Sequence, residues 1–166
     1  MRWHELFEDL ESQADAAERA DGELEGAELL EAEQGRIPLV DRLRAVVGRT
    51  VSVGTADEHV TGVLEDLAPA YLVVATAQRD VLVPAAAVRW VQGAGRSALE
   101  GAGAEARLTL AHVLRGVAER ERVVRVVTTA RVVVGEIDRV GPDHVDVVEN
   151  GDAVSIPFAA ISSVAL

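Results

Sequence analysis

Between Arg49 and Gln92 the chain runs in short bursts of Val, Leu and Thr broken by Gly, Asp and Pro, and from Val123 to Val164 it does so again. Val51 and Val53 alternate with Thr50 and Ser52, the period of a strand with one buried face. The pattern predicts strands near Thr50–Val53, His59–Leu67, Tyr71–Thr76, Asp80–Val83 and Val88–Val91. A second series is predicted near Val123–Val127, Val132–Val140, His144–Val148, Ala153–Ile156 and Ile161–Val164. Before each series the period lengthens to three and four. Leu39, Leu43 and Val46 fall on one helical stripe opened by Pro38, and Leu110, Leu114 and Val117 fall on another that Thr109 is placed to cap.

The two series are one programme written twice. Residues 48–93 laid over 121–166 at a constant offset of 73 give thirteen identities in forty-six positions. Identities include Gly62 with Gly135 inside the long second strand, Pro69 with Pro142 in the turn after it, and Pro84 with Pro157 closing the fourth. A glycine inside a long strand signals a bulge or sharp bend. The expected fold class is therefore α+β: an N-terminal helical arm, then two tandem units, each a helix plus a five-stranded small barrel.

The expected boundaries are 1–36 for the arm, 37–92 for the first barrel with its helix, 93–107 for a flexible Gly/Ala linker, and 108–166 for the second barrel with its helix. In the arm, Trp3, Leu6, Phe7 and Leu10 lie on one helical stripe with acids on the other faces. That stripe is a candidate self-association or docking helix.

A short helix, five short strands bent at a glycine, and a one-turn Pro-Ala-Ala-Ala or Pro-Phe-Ala-Ala step between strands four and five resemble the Sm-like fold. The resemblance covers about residues 38–93 and 109–166. It implies a small β-barrel, ring assembly by pairing of strand four with strand five, and RNA as a ligand. The turns before strand three, DLAPAYL and RVGPDHV, lack the Asn of the RNA-binding members, and Pro84-Ala85-Ala86 stands where the bacterial type carries Tyr-Lys-His. The opening MRWHELFEDLE also resembles that of a group of uncharacterised actinobacterial proteins.

Composition narrows the chemistry. No Cys is present among 166 residues, so disulfides, Cys-ligated zinc and thiol catalysis are excluded. The longest apolar-rich stretch, Leu67 to Ala77, is too short for a membrane span, and a cytoplasmic protein without membrane insertion is expected. Net charge is −12. Residues 1–36 hold three Arg against twelve acids, a balance of −9, so most of the acidity belongs to the arm.

Arg115, Arg120, Arg122, Arg125 and Arg131 crowd the helix and first hairpin of the second unit, with Arg42, Arg44 and Arg49 at the matching end of the first. These eight form a candidate nucleic-acid face, although Glu119, Glu121 and the acidic arm oppose it and favour a solvated, salt-bridged face. His4, His59, His112 and His144 have no metal-ligand spacing. Tyr71 and His144 occupy equivalent positions at the start of strand three, open to a ligand surface or, as the preferred reading, to packing over a barrel mouth. Asp66, Asp143 and Asp146 lie in or near turns with no nucleophile or paired base beside them, and are read as turn-stabilising carboxylates. The sequence thus points to a non-enzymatic, cofactor-free interaction module that self-associates through open strand edges. Protein docking on the N-terminal helix would add a partner, and an Sm-like RNA-binding regulator is the alternative.

Overall fold

The structure, a computed structural model, describes residues 19, 26, 27, 35–96, 108–120 and 123–166. The stripe Trp3, Leu6, Phe7 and Leu10, most of the arm and residues 97–107 of the expected linker lie outside the described residues. The chain divides into Met1–Pro38 and Leu39–Leu166, and the second unit holds every described strand.

The first copy comprises helix α1 (Leu39–Arg44) and strands β1 (Thr50–Gly54), β2 (His59–Ala68), β3 (Tyr71–Ala75), β4 (Asp80–Pro84) and β5 (Trp90–Gln92). The second comprises helix α2 (Leu110–Ala118) and strands β6 (Val123–Thr128), β7 (Val132–Val140), β8 (His144–Glu149), β9 (Asp152–Pro157) and β10 (Ile161–Ala165). Thr109 caps α2, its hydroxyl accepting from the His112 amide at 3.3 Å. A one-turn 3₁₀ helix separates strands four and five in each copy, Ala85–Ala87 and Phe158–Ala160. In the first copy this delays the fifth strand, which pairs from Trp90 and not from Val88.

Two separate helix-plus-five-strand barrels are not what these elements build. All ten strands belong to one antiparallel sheet in the order β5-β1-β2-β3-β4-β10-β6-β7-β8-β9. The copies fuse where β10 pairs with β4: Val164 lies opposite Leu82, Ala165 opposite Val81, and the Leu166 amide donates to the Asp80 carbonyl at 2.9 Å. The physical reason is twofold. Left alone, β4 and β10 would each present unpaired N–H and C=O groups, and pairing them removes two edges at once. The apolar side chains also cross the boundary: Ala68, Tyr71 and Leu82 of the first copy are buried in the second copy's core, and Ala165 is buried in the first copy's core.

Tight backbone approaches and turn hydroxyls set the shape of each copy. A Cβ added at Gly62 would lie 2.1 Å from the Ala75 carbonyl oxygen, and one added at Gly135 would lie 2.0 Å from that of Val148. Register shifts follow in both long strands, between Leu64 and Asp66 and between Ile137 and Arg139. Thr55, Thr76 and Thr128 each donate their hydroxyl to the carbonyl three residues on, at 3.0, 2.8 and 2.7 Å, and accept amides from within the same turn.

Because the obstacle at Gly135 is a backbone carbonyl, Gly135→Ala must shift β8 away from β7. The expected cost is roughly 2 kcal/mol or more, read as a lowered midpoint in urea unfolding. Gly151→Ala, in the exposed β8–β9 turn, serves as the comparison at a position with no atom in the way; its φ of +93° makes it strained for a conformational reason instead.

Candidate functional site

The features with chemical character gather at the seam between copies and at the two free ends of the sheet. At the seam, the β1–β2 turn of the first copy reaches onto β10. Ser162 and Ser163, both buried, donate their hydroxyls to the Asp57 and Glu58 carboxylates respectively. Glu58 also receives Arg125 of β6 at 3.5 Å. Hydrophobic pattern does not single out these residues, but the repeat does. At offset 73, Ser162 and Ser163 correspond to Arg89 and Trp90, and Asp57 and Glu58 correspond to Ala130 and Arg131. The seam lies where the repeat breaks.

Of the eight arginines, four are engaged within the fold. Arg42 donates to the carbonyls of Gly95 and Ala94 at 2.6 and 3.3 Å, tying α1 to the segment after β5. Arg44 pairs with Asp41 at 2.6 Å, Arg125 with Glu58, and Arg131 with Glu149 at 2.6 Å. Arg49 precedes β1, Arg115 lies in the last turn of α2, Arg120 follows that helix, and Arg122 lies outside the described residues.

Tyr71 does not sit over an open mouth. It is buried in the second copy's core, with its hydroxyl donating to Asp66 Oδ2 at 3.1 Å. Burial first, then the Asp66 charge and hydrogen bond, push its phenol above the ordinary tyrosine value. Its counterpart His144 is partly exposed, with Nδ1 2.8 Å from Asp143 and Nε2 4.0 Å from Asp146. The hydrogen bond to His144 holds the Asp143 carboxyl below its usual range. Asp66 also accepts the Leu67 amide at 2.8 Å, and Asp146 accepts Ser155 Oγ at 2.5 Å. Both carboxylates thus brace their own turns and strands. His59 tilts against Trp90 with ring centroids 6.4 Å apart, His112 Nδ1 lies 2.7 Å from Thr109 Oγ1, and His4 lies outside the described residues.

Among the described residues, the strands at the two ends of the sheet are β5 and β9. On β5, Trp90 is about half exposed and lies across Gly54, where any Cβ would collide with the indole. Alternation of the antiparallel ladder fixes which groups face outward. On β9 the Phe158 amide bonds the Asp143 carbonyl, so Ser155, three residues earlier, turns its N–H and C=O away from β8. Leu82, its equivalent in β4, turns the same groups toward β10.

These observations define a β-sheet protein made from a duplicated five-strand unit, joined by strand pairing and open at both ends. Residues 39–92, which run from α1 to β5, match the family model described as a domain of unknown function (DUF2642). No curated protein matches the chain. Among the described residues no helix is long and apolar enough to cross a membrane.

Glu149 offers a pH test of the second copy. The Arg131 guanidinium, and next the Val134 amide that donates to it at 3.1 Å, hold its carboxyl below the ordinary glutamate value. A depressed carboxylate favours the fold above its unfolded value, and that contribution is lost as pH falls through the folded value. Carboxyl carbon-13 NMR should show the Glu149 midpoint rising in Arg131→Gln. The gap in melting temperature between wild type and variant should narrow on acidification across the same window.

Proposed function

We propose that the protein is a non-enzymatic, cytoplasmic assembly module that self-associates head to tail, β9 of one chain pairing with β5 of the next. One observation carries this reading. β4 and β10 are the fourth strand of one copy and the fifth of the other, and they already pair within the chain. β9 and β5 are the remaining fourth and fifth strands, and among the described residues they are the two edges left over. The offset of the repeat translates the internal register into an external one, with Ser155 opposite Val91 and Val154 opposite Gln92. The same translation brings Arg131 toward Trp90, a cation over an exposed indole face. Such a contact is heterologous, so each added chain leaves a fresh β9 and a fresh β5.

The RNA-binding alternative draws less support. Arg42, Arg44, Arg125 and Arg131 of the proposed face are occupied within the fold, and phosphate contacts would compete with those bonds.

Light scattering over a concentration series tests the assembly. The wild-type chain should exceed its 17.6 kDa monomer mass in whole multiples. Ser155→Pro removes an outward N–H without touching the β8 ladder, a position where proline is tolerated. It should return the mass to 17.6 kDa with an unchanged circular dichroism spectrum. A wild-type chain that is monomeric throughout, or a proline variant as large as wild type, would sink the reading.

A further inference from the structure

The two copies treat one spot differently, and the difference exposes a vacancy in the first. In the second copy, Glu149 at the end of β8 fills the gap beside the start of β7, where its carboxylate accepts from Arg131 Nη1 at 2.6 Å and from the Val134 amide at 3.1 Å. The residues equivalent to Val134 and Glu149 in the first copy are Thr61 and Thr76. Thr76 is too short to cross the gap, and its hydroxyl is held in its own turn by the Gln78 and Arg79 amides and the Arg79 carbonyl.

Ladder geometry fixes the Thr61 amide. The Thr55 N–H donates to the Glu58 carbonyl at 2.9 Å and the Leu64 N–H donates to the Arg49 carbonyl at 3.0 Å, and between them bonded and non-bonded pairs alternate. Thr61, opposite Ser52, falls on a non-bonded pair, so its N–H points away from β1. Pairing of β2 with β3 starts only at Val63 opposite Ala75. The amide therefore faces a cleft of about 230 Å³ lined by Glu58, His59, Thr61, Thr76, Arg79 and Arg125, among others. Glu58, the one carboxylate lining it among the described residues, is committed to Ser163 and Arg125. Arg79 makes no ion pair among the described residues. A second cleft of about 330 Å³ adjoins it and shares Arg79, Arg125 and Ala165.

We propose that the first copy binds a small carboxylate ligand in this cleft, its carboxylate taking the place that Glu149 fills in the second copy. The Thr61 N–H supplies the backbone donor and Arg79 the charge, with Arg125 at the far wall. A cleft of this size suits a small ligand and not a polymer. A carboxylate is favoured because the duplicated backbone already holds one at the same strand position. The site stands apart from chain-to-chain pairing, since its lining residues lie on neither β5 nor β9.

Succinate, titrated into the full chain and followed by proton–nitrogen NMR, tests it. Saturable movement of the Thr61 amide is expected, absent with sodium chloride at matched ionic strength. Arg79→Gln, in an exposed turn, should weaken the affinity roughly tenfold or more, the size of one charge-assisted hydrogen bond. Thr76→Glu should abolish binding by supplying the missing carboxylate internally, while Thr76→Ser, which keeps the turn hydroxyl, should bind like wild type. Ser155→Pro should leave succinate affinity unchanged, separating this site from assembly. No saturable shift at Thr61, an equal shift with chloride, or wild-type affinity in Arg79→Gln or Thr76→Glu would overturn the proposal.

Discussion

The pairing of β10 with β4 is the contact on which the rest of the structure depends. Each copy spans fewer than sixty residues, a size at which a lone core leaves much of its apolar surface in water and the fold is marginal. The backbone bonds of the seam are few: Val164 with Leu82, Ala165 with Val81, and the Leu166 amide on Asp80. What they bring together is larger. Tyr71 and Leu82, almost fully buried, complete the second core from the first copy, and Ala165 closes the first from the second. Opening the seam would wet both cores and leave two long edges unpaired, so the copies stand or fall together.

Polar groups make that joint selective. Ser162 and Ser163 are buried on β10 and would be costly without acceptors. Asp57 and Glu58 supply those acceptors, and Arg125 offsets part of the charge this collects. At the outer ends the equivalent positions hold Arg89 and Trp90 on one side and Ala130 and Arg131 on the other. An outer edge offered to the inner partner would set Arg131 where Glu58 now accepts from Ser163 and pairs with Arg125. The duplicated strands share a shape, while the residues that depart from the repeat assign each edge its partner.

Local order was largely readable from the chain, because valine alternation, the paired glycines at 62 and 135 and the prolines at 84 and 157 act over a few residues. Which edge meets which was not. Valine alternation marks core-facing positions without stating which copy's core they enter, and two self-contained barrels satisfy the same pattern. The partners of the arginines were hidden for a related reason. Its members are close in sequence, but Arg125 and Arg131 answer to Glu58 and Glu149, at separations of 67 and 18 residues. Asp66 and Asp146, by contrast, were legible as bracing carboxylates because their partners are near or on the adjacent strand.

A duplicated fold gives an internal control that single-copy proteins lack. Where both copies carry the same residue, as with Thr55 and Thr128 in their turns, the position serves the shared backbone and its role is structural. Where they differ, one copy shows what the backbone can hold and the other what it holds instead. By that logic Glu149 and Thr76 are the informative pair in the interior of the sheet, and Ser163 and Trp90 the informative pair at its edges. In each case the second copy satisfies the position internally, with a carboxylate on an outward amide or a buried hydroxyl on an acid. The first copy leaves the matching amide and the matching ring exposed to whatever the chain meets. The asymmetry arises from substitutions that leave the strand programme itself untouched.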